Sequence, residues 1–287
     1  MNMDDARTID IDGVAVPRLL YGTAWKEEAT EQLVTLALDQ GFRGFDTANQ
    51  RKHYYEAGTG AALAKAIKAG RVRRADLFIQ TKFTFRRGQD HRLPYDADAP
   101  AATQVAQSFE KSLEHLQTDY IDSLVLHGPW TGDRLHPVDW QVWRAMEAIH
   151  KQGRVRLLGV SNFKLEQVRL LCARAAVKPR FVQNRCYAAR AWDKDIRAVC
   201  AQEGIRYQGF SLLTANRGVL DHAMVKEIAA RHGKTPAQCV FRFALDVGMV
   251  PLTGTKDAAH MAQDQDVFDF TLTPGEIAAI EKAAMPR

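Results

Sequence analysis

The chain alternates short apolar segments with amphipathic segments eight times, and this alternation constrains its fold more than any other feature. Short apolar runs bounded by glycine or polar residues are typical of buried strands, and a 3.6-residue spacing of apolar side chains is typical of helices. Strands are predicted at residues 18–21, 42–45, 77–82, 121–126, 155–160, 181–182, 205–210 and 249–252. Helices are predicted at residues 27–40, 56–69, 102–116, 139–151, 165–175, 193–202, 222–231, 236–245, 258–263 and 274–284.

Eight strand–helix units predict an α/β fold, namely a (β/α)8 TIM barrel. Strands that alternate with helices pair in parallel through right-handed crossovers, and eight such units are the number that closes this barrel. A doubly wound sheet is the competing fold, but no GxGxxG follows the first strand. Residues 8–16 alternate around Asp12-Gly13, which predicts a β-hairpin that caps the bottom of the barrel. No linker or composition break is present, so residues 1–287 are expected to form a single domain.

Composition narrows the class of protein. With 46% apolar and 25% charged residues, the chain is ordinary for a soluble globular protein, and no apolar run approaches the roughly 18 residues of a membrane span. The polar segment 1–7 does not resemble a secretory signal. The four cysteines have no CxxC or metal-type spacing, and the basic residues lack interleaved aromatics. We therefore expect a cytoplasmic protein with reduced thiols and no membrane, nucleic-acid or metal partner.

Four polar residues, Asp46, Tyr54, Lys82 and His127, lie at or just past the ends of predicted strands two to four. In a (β/α)8 barrel these ends share one rim, where active sites are built. A tyrosine is a poor proton donor at neutral pH, and a lysine paired with a carboxylate is the simplest way to improve it. A histidine can then orient a carbonyl oxygen against the phenol. The four residues predict a site that reduces a C=O bond, and more polar residues end strands five to seven: Ser161, Asn162, Gln183, Asn184 and Ser211.

Several motifs resemble those of aldo-keto reductases. They are Gly41-Phe42-Arg43-Gly44-Phe45-Asp46-Thr47-Ala48, Thr81-Lys82-Phe83, Leu126-His127 and the stretch from Met146 through Gly159-Val160-Ser161-Asn162-Phe163. The loop at residues 52–56 is similar to that of a subgroup with a Lys-His-Tyr-x-Glu arrangement. The resemblance implies a monomeric, NADP(H)-dependent oxidoreductase that reduces aldehydes or ketones to alcohols reversibly, with a small carbonyl or alcohol as substrate.

The resemblance also implies a role for each residue. Tyr54 would be the general acid, Lys82 paired with Asp46 would lower the pKa of the phenol, and His127 would orient the substrate. The implied cofactor-binding residues are Gly22, Thr23, Ser161, Asn162, Gln183, Phe210, Ser211, Leu212, Thr253, Gly254, Thr255, Lys256, His260 and Gln263. The expected substrate pocket contains Trp25, Tyr55, Phe85 and Trp130.

The chain departs from the common family pattern in two regions. The aspartate-to-tyrosine spacing is longer than usual, so Tyr55 and His53 remain alternatives to Tyr54 as the acid. After the last strand the usual lysine has moved to Lys256 and the usual arginine is absent. NADP(H) is the expected cofactor, and NAD(H) stays open.

Two other functions also stay open: a cofactor-binding sensor with little turnover, and a barrel isomerase or aldolase in which Lys82 forms a Schiff base. The long segment 83–100 is expected to cover one side of the pocket and help select the substrate.

Overall fold

The chain begins with the expected hairpin. A computed structural model describes residues 7–283, so the polar N-terminal residues 1–6 and the predicted end of the last helix at Ala284 lie outside the described residues. Strands β1 (Thr8–Ile11) and β2 (Val14–Pro17) pair antiparallel across Asp12 and Gly13. Both turn residues have positive φ angles, 52° and 80°, as a two-residue hairpin turn requires.

Eight parallel strands then close into a barrel, which confirms the predicted fold. They are β3 (Leu20–Gly22), β4 (Gly44–Asp46), β5 (Phe78–Phe83), β6 (Ile121–Leu126), β7 (Val155–Ser161), β8 (Phe181–Arg185), β9 (Arg206–Phe210) and β10 (Val250–Thr253). Each strand pairs with the next in chain order, and β10 returns to β3 at Leu252 and Leu20. Every strand thus ends at the same rim.

Helices follow the strands and surround the barrel. They are α1 (Thr30–Asp39), α2 (Glu56–Lys68), α3 (Ala101–Leu116), α4 (Pro137–Lys151), α5 (Leu165–Arg174), α6 (Lys194–Gln202), α7 (Arg217–Asp221), α8 (Ala223–His232), α9 (Pro236–Asp246), α10 (Ala258–Gln265) and α11 (Pro274–Lys282). No helix in residues 7–283 is long and apolar enough to cross a membrane.

Most predicted boundaries agree with these elements to within two residues, but some local structure was missed. The sequence did not predict α7 or the 3-10 turn at Ala188–Asp193. The first strand begins at Leu20 rather than at residue 18, and the helix predicted from residue 27 opens with a 3-10 turn before α1. Short elements have too few residues for a periodic pattern, so tertiary contacts decide them.

The hairpin closes the bottom of the barrel, as predicted. Ile11, Val14 and Val16 are buried in one apolar cluster with interior side chains near the strand beginnings, among them Leu20 and Phe181. Asp12 at the turn accepts from Arg180 Nε over 2.6 Å, just before β8. Because this end is filled with apolar side chains, polar chemistry is confined to the opposite end, where the strands finish.

Candidate active site

A buried ion pair lies at the top of the barrel. Asp46 is the last residue of β4, and Lys82 is on β5 beside it. Lys82 Nζ donates to Asp46 Oδ2 over 2.6 Å and to the Thr47 carbonyl oxygen over 2.8 Å. The Lys82 side chain is 0% exposed and that of Asp46 is 4% exposed. A buried ammonium is tolerated here because a carboxylate and a carbonyl face it.

Tyr54 lies against this pair, in the loop between β4 and α2. Lys82 Nζ is 4.9 Å from the centre of the Tyr54 ring. The rings of Tyr54 and His127 meet edge to face, with centroids 5.8 Å apart and planes at 70°. No hydrogen-bond partner of the Tyr54 hydroxyl lies within residues 7–283. The phenol is therefore free to meet a ligand.

Tyr54 and Lys82 have shifted pKa values. Burial, and then the charge of Asp46, raise the pKa of the Tyr54 phenol far above its ordinary value. Burial lowers the pKa of Lys82, while Asp46 opposes that change. The resemblance implied a lowered pKa for the phenol, but burial has the opposite effect because it disfavours the phenolate. Tyr54 is thus fully protonated near neutral pH, as a proton donor must be.

His127 directly follows β6 and is held by a neighbouring hydroxyl. Its Nδ1 lies 2.7 Å from Thr84 Oγ1. Burial, followed by the charge of Lys82, lowers the pKa of His127 well below 6.5, so the ring is neutral at pH 7. Its Nε2 has no partner among the described residues. A neutral imidazole with one nitrogen fixed can orient a polar ligand through the other.

A cleft of about 640 Å³ opens above Tyr54 and His127. The structure brings together there most residues that the sequence nominated: Gly22, Trp25, Asp46, Tyr54, His127, Ser161, Gln183, Phe210, Ser211, Leu212, Thr253, Gly254, Thr255, Lys256, His260 and Gln263. Lys82 does not line the cleft, but it contacts Asp46 and Tyr54, which do. The sequence missed other residues that line the cleft: Ala24, Leu213, Thr214, Thr235, Ala237, Phe241, Leu252 and Asp264. Most of them are small or apolar residues with no chemical motif.

Two nominated cofactor residues do not line this cleft. Thr23 is fully buried, and its backbone nitrogen and hydroxyl both donate to the Asp46 carbonyl oxygen, over 2.9 and 3.0 Å. Asn162 lines a smaller cavity of about 260 Å³ on the other side of His127. Its Nδ2 donates to the His127 carbonyl oxygen over 2.7 Å.

The nominated substrate residues are also dispersed. Trp25 lines the main cleft, whereas Phe85 lines the smaller cavity together with His53. Tyr55 lines a third cavity of about 320 Å³ on the barrel flank, with Arg51 over its ring. Trp130 lines neither the main cleft nor the cavity beside His127, and it packs edge to face on Phe85 with centroids 5.2 Å apart. Their sequence positions gave no information on which cavity each side chain would reach.

A second lysine, which the sequence did not indicate, lies behind the cleft wall near Lys256. Lys26 is 3% exposed, and its Nζ donates to the Gly254 carbonyl oxygen over 2.8 Å. Burial, and then the charge of Lys256, lower the pKa of Lys26 to about 8. The first and last loops of the barrel rim are therefore tied together beside Lys256.

The residues present fit a dinucleotide cofactor. One end of the cleft carries polar atoms without partners among the described residues, including the Tyr54 hydroxyl and His127 Nε2, and the other end carries Lys256, His260 and the Thr255 hydroxyl. Its volume lies within the range of small-molecule and cofactor sites.

The sequence model of the aldo/keto reductase family matches residues 19–285. The chain belongs to the aldo/keto reductase family. It is 32% identical over 273 residues to the glyoxal reductase of Bacillus subtilis, covering 94% of this chain and 90% of that protein. It is 31% identical over 276 residues to the NAD(P)H-dependent 6'-deoxychalcone synthase of Glycine max, covering 90% of this chain and 82% of that protein.

A solved structure agrees with this assignment. The crystal structure of an aldo/keto reductase from Brucella melitensis matches with a TM-score of 0.81 and 27% identity, covering 96% of this chain and 97% of that one. The resemblance drawn from the motifs is confirmed, and so is the enzyme class. This aldo/keto reductase is an NAD(P)H-dependent oxidoreductase that acts on carbonyl groups.

Proposed function

We propose that this aldo/keto reductase reduces small aldehydes and ketones to alcohols in a reversible reaction with NADP(H), and that Tyr54 is its general acid. One observation carries the proposal. The Tyr54 ring lies 4.9 Å from Lys82 Nζ and packs on His127, and the Tyr54 hydroxyl and His127 Nε2 have no partner among the described residues in the same cleft.

The chain's own residues suit a proton transfer to a carbonyl oxygen. His127 Nε2 and the Tyr54 hydroxyl hold that oxygen between them. Tyr54 then donates its proton, and the ammonium of Lys82 stabilises the phenolate that forms. Asp46 keeps Lys82 charged in a buried environment. A bound nicotinamide cofactor supplies the hydride for the carbonyl carbon.

The proposed form of the cofactor is NADP(H). Lys256 has no carboxylate partner within residues 7–283, and it lies at the far end of the cleft with Thr253, Thr255 and His260. The Lys256 ammonium and the Thr255 hydroxyl suit a phosphate group, whereas the Thr253 hydroxyl donates to Asp264. NAD(H) is the alternative, since the arginine that is common in relatives is absent.

The proposed substrates are small. The lining of the cavity of about 260 Å³ beside His127 includes the polar side chains of Gln50, His53 and Arg87. Its volume suits a compact polar carbonyl compound, and one relative is a glyoxal reductase. The loop at residues 84–100 supplies Phe85, Arg87 and Gly88 to this cavity, so it is the segment that we expect to select the substrate.

We further propose a single-domain, monomeric and cytoplasmic enzyme. Among the described residues, the large apolar side chains that are exposed are Trp25 and Trp130, and Trp25 lies at the cleft. Two separate side chains do not form the extended apolar patch that self-association would need. All four cysteines are free and buried, which suits a reducing compartment.

The test is oxidation of NADPH, and separately of NADH, with glyoxal and a panel of larger aldehydes and ketones. Tyr54→Phe should lose about 10²-fold to 10⁴-fold in kcat while the Kd for the cofactor is retained, because only proton donation is removed. Tyr55→Phe is the matched control and should keep its activity.

Two other results would contradict the proposal. Retained activity in Tyr54→Phe would refute this assignment of the acid. Tight cofactor binding by the wild-type protein without turnover of any carbonyl would instead indicate a sensor.

A further inference from the structure

Two glutamines buried inside the barrel form a pair of hydrogen bonds across it. Gln80 on β5 and Gln208 on β9 are both 0% exposed. Gln80 Nε2 donates to Gln208 Oε1 over 2.8 Å, and Gln208 Nε2 donates to Gln80 Oε1 over 3.1 Å. Ser123 Oγ on β6 donates to the same Gln80 oxygen over 2.9 Å. Each amide donates to the oxygen of the other. If either amide were rotated by 180°, its oxygen would face the other oxygen and its NH₂ group would face the other NH₂ group.

The pair also reaches the carboxylate of Asp46. Gln80 Nε2 donates to Asp46 Oδ1 over 2.7 Å, and Gln183 Nε2 donates to the same oxygen over 2.9 Å. With Oδ1 occupied by two amides, Oδ2 is the oxygen that meets Lys82. Gln80, which is held by Gln208, and Gln183 therefore set the orientation of the Asp46 carboxylate.

The same network fixes the amide of Gln183. Its Nε2 donates to Asp46 Oδ1 and to Gln208 Oε1, each over 2.9 Å, which uses both of its hydrogens. A reversed amide would press its oxygen against these two acceptors. Gln183 lines the cleft, and its Oε1 has no partner within residues 7–283. The group that Gln183 offers to a ligand is thus an acceptor rather than a donor.

We infer that Gln80 and Gln208 are positioning residues that fix two parts of the site through one network. They hold Gln183 so that its Oε1 accepts from the carboxamide N–H of the cofactor, and they hold Asp46 so that its Oδ2 faces Lys82. The inference rests on the proposed function, because it takes a nicotinamide cofactor as the ligand of this cleft. Gln80 and Gln208 thereby connect the cofactor-binding Gln183 to the ion pair beside Tyr54, although neither of them lines the cleft.

The experiment compares the Kd values of NADPH and of its 3-acetylpyridine analogue, in which a methyl group replaces the carboxamide NH₂. Quenching of tryptophan fluorescence gives both values without turnover. The wild-type protein should prefer the carboxamide by about fivefold to tenfold, the ratio that corresponds to one net hydrogen bond. In Gln208→Met the preference should fall toward one, since Gln183 loses one of the two acceptors that orient it. Ser123→Ala, which removes a bond to Gln80 alone, should keep the wild-type preference.

Two outcomes would overturn the inference. One is a wild-type protein that binds both compounds equally. The other is a Gln208→Met variant in which both affinities fall alike and the preference is unchanged, as a purely structural role would give. Failure of the proposed cofactor binding, on which the inference rests, is distinct from both, because neither compound would then bind the wild-type protein; absence of carbonyl turnover is read separately.

A measurement on the wild-type protein keeps the inference testable if Gln208→Met does not fold. Both side-chain amide protons of Gln183 are donated inside the barrel, so their NMR signals should exchange slowly with solvent, unlike those of an exposed glutamine. Fast exchange of the Gln183 amide protons would show that its nitrogen reaches the cleft, and the inference would be wrong.

Discussion

Lys82 Nζ and Asp46 Oδ2 lie 2.6 Å apart inside the barrel, and each is the only oppositely charged partner of the other among the ion pairs of residues 7–283. Asp46→Asn should lower the free energy of unfolding by about 3–5 kcal/mol, because it leaves the Lys82 ammonium buried without a counter-charge. Urea unfolding measures this change.

The double variant Asp46→Asn/Lys82→Met provides the control for that prediction. It removes both charges, so it should be more stable than Asp46→Asn alone, although it should be equally inactive. A double variant that is no more stable than the single one would contradict a charge-based explanation.

Thr84 is expected to act through His127. Thr84→Val keeps the shape of the side chain and removes the hydroxyl that lies 2.7 Å from His127 Nδ1. The ring is then less well oriented, and kcat/KM should fall by about tenfold, equivalent to about 1.4 kcal/mol. Cofactor Kd should change little. Thr84→Ser retains the hydroxyl and should restore most of the activity; an equal loss in both variants would point to packing rather than orientation.

Asp264 should make stability depend on pH. Burial raises the pKa of this carboxyl from 3.8 to about 6, and Thr253 Oγ1 donates to it over 2.7 Å. Below pH 4 both the folded and the unfolded chain hold the proton. Between pH 4 and 6 the unfolded chain releases it first, so stability falls with rising pH, and above pH 6 the loss is complete at about 3 kcal/mol.

Asp264→Asn removes this charge and tests the dependence. The variant should match the wild-type protein at pH 4 and exceed its free energy of unfolding at pH 8 by up to about 3 kcal/mol. Chemical denaturation at the two pH values measures the difference. The same substitution at the exposed Asp119 is the control. A constant difference between Asp264→Asn and wild type at all pH values would argue against burial of the charge.

Gly60 on α2 packs directly against backbone atoms at the end of α3. A Cβ atom there would lie 1.9 Å from the His115 carbonyl oxygen and 2.6 Å from Leu116 Cα, both at the end of α3. Gly60→Ala should therefore lower the free energy of unfolding by about 2 kcal/mol or more, because backbone atoms must move. Gly218→Ala on α7 has no atom within 4 Å of the new methyl group and should be neutral or slightly stabilising. Equal stability of the two variants in thermal unfolding would contradict the packing argument.

Local sequence patterns predicted much of the fold. Asp12-Gly13 predicted the hairpin turn, and eight strand–helix units predicted the barrel, because these features depend on turn chemistry and on periodic burial. The helix predicted from residue 274 begins there as α11, and the Thr273 hydroxyl before it accepts from the Glu276 amide nitrogen. By contrast, Ala191, Trp192 and Asp193 all have positive φ angles, and no local pattern indicated them.

Part of the candidate site could be named from the sequence. Asp46, Tyr54, Lys82 and His127 could be named because they follow strands and fit a family motif, and Tyr54 proved to line the cleft where Tyr55 does not. Thr84, Lys26 and Asp264 were not named, since their meaning depends on a partner far away in the chain.

The sequence by itself determined the order of strands and helices, the rim on which polar residues gather, and the family. Only the tertiary structure decided which side chains meet inside the barrel. Gln80 and Gln208 are 128 positions apart and form a mutual amide pair only because β5 and β9 face each other across a closed sheet. Periodicity reports whether a side chain is buried, but the identity of its neighbour depends on closure of the barrel and on its register. Desolvation of the Tyr54 phenol likewise depends on the tertiary structure, and it raises the pKa that the resemblance implied would be lowered.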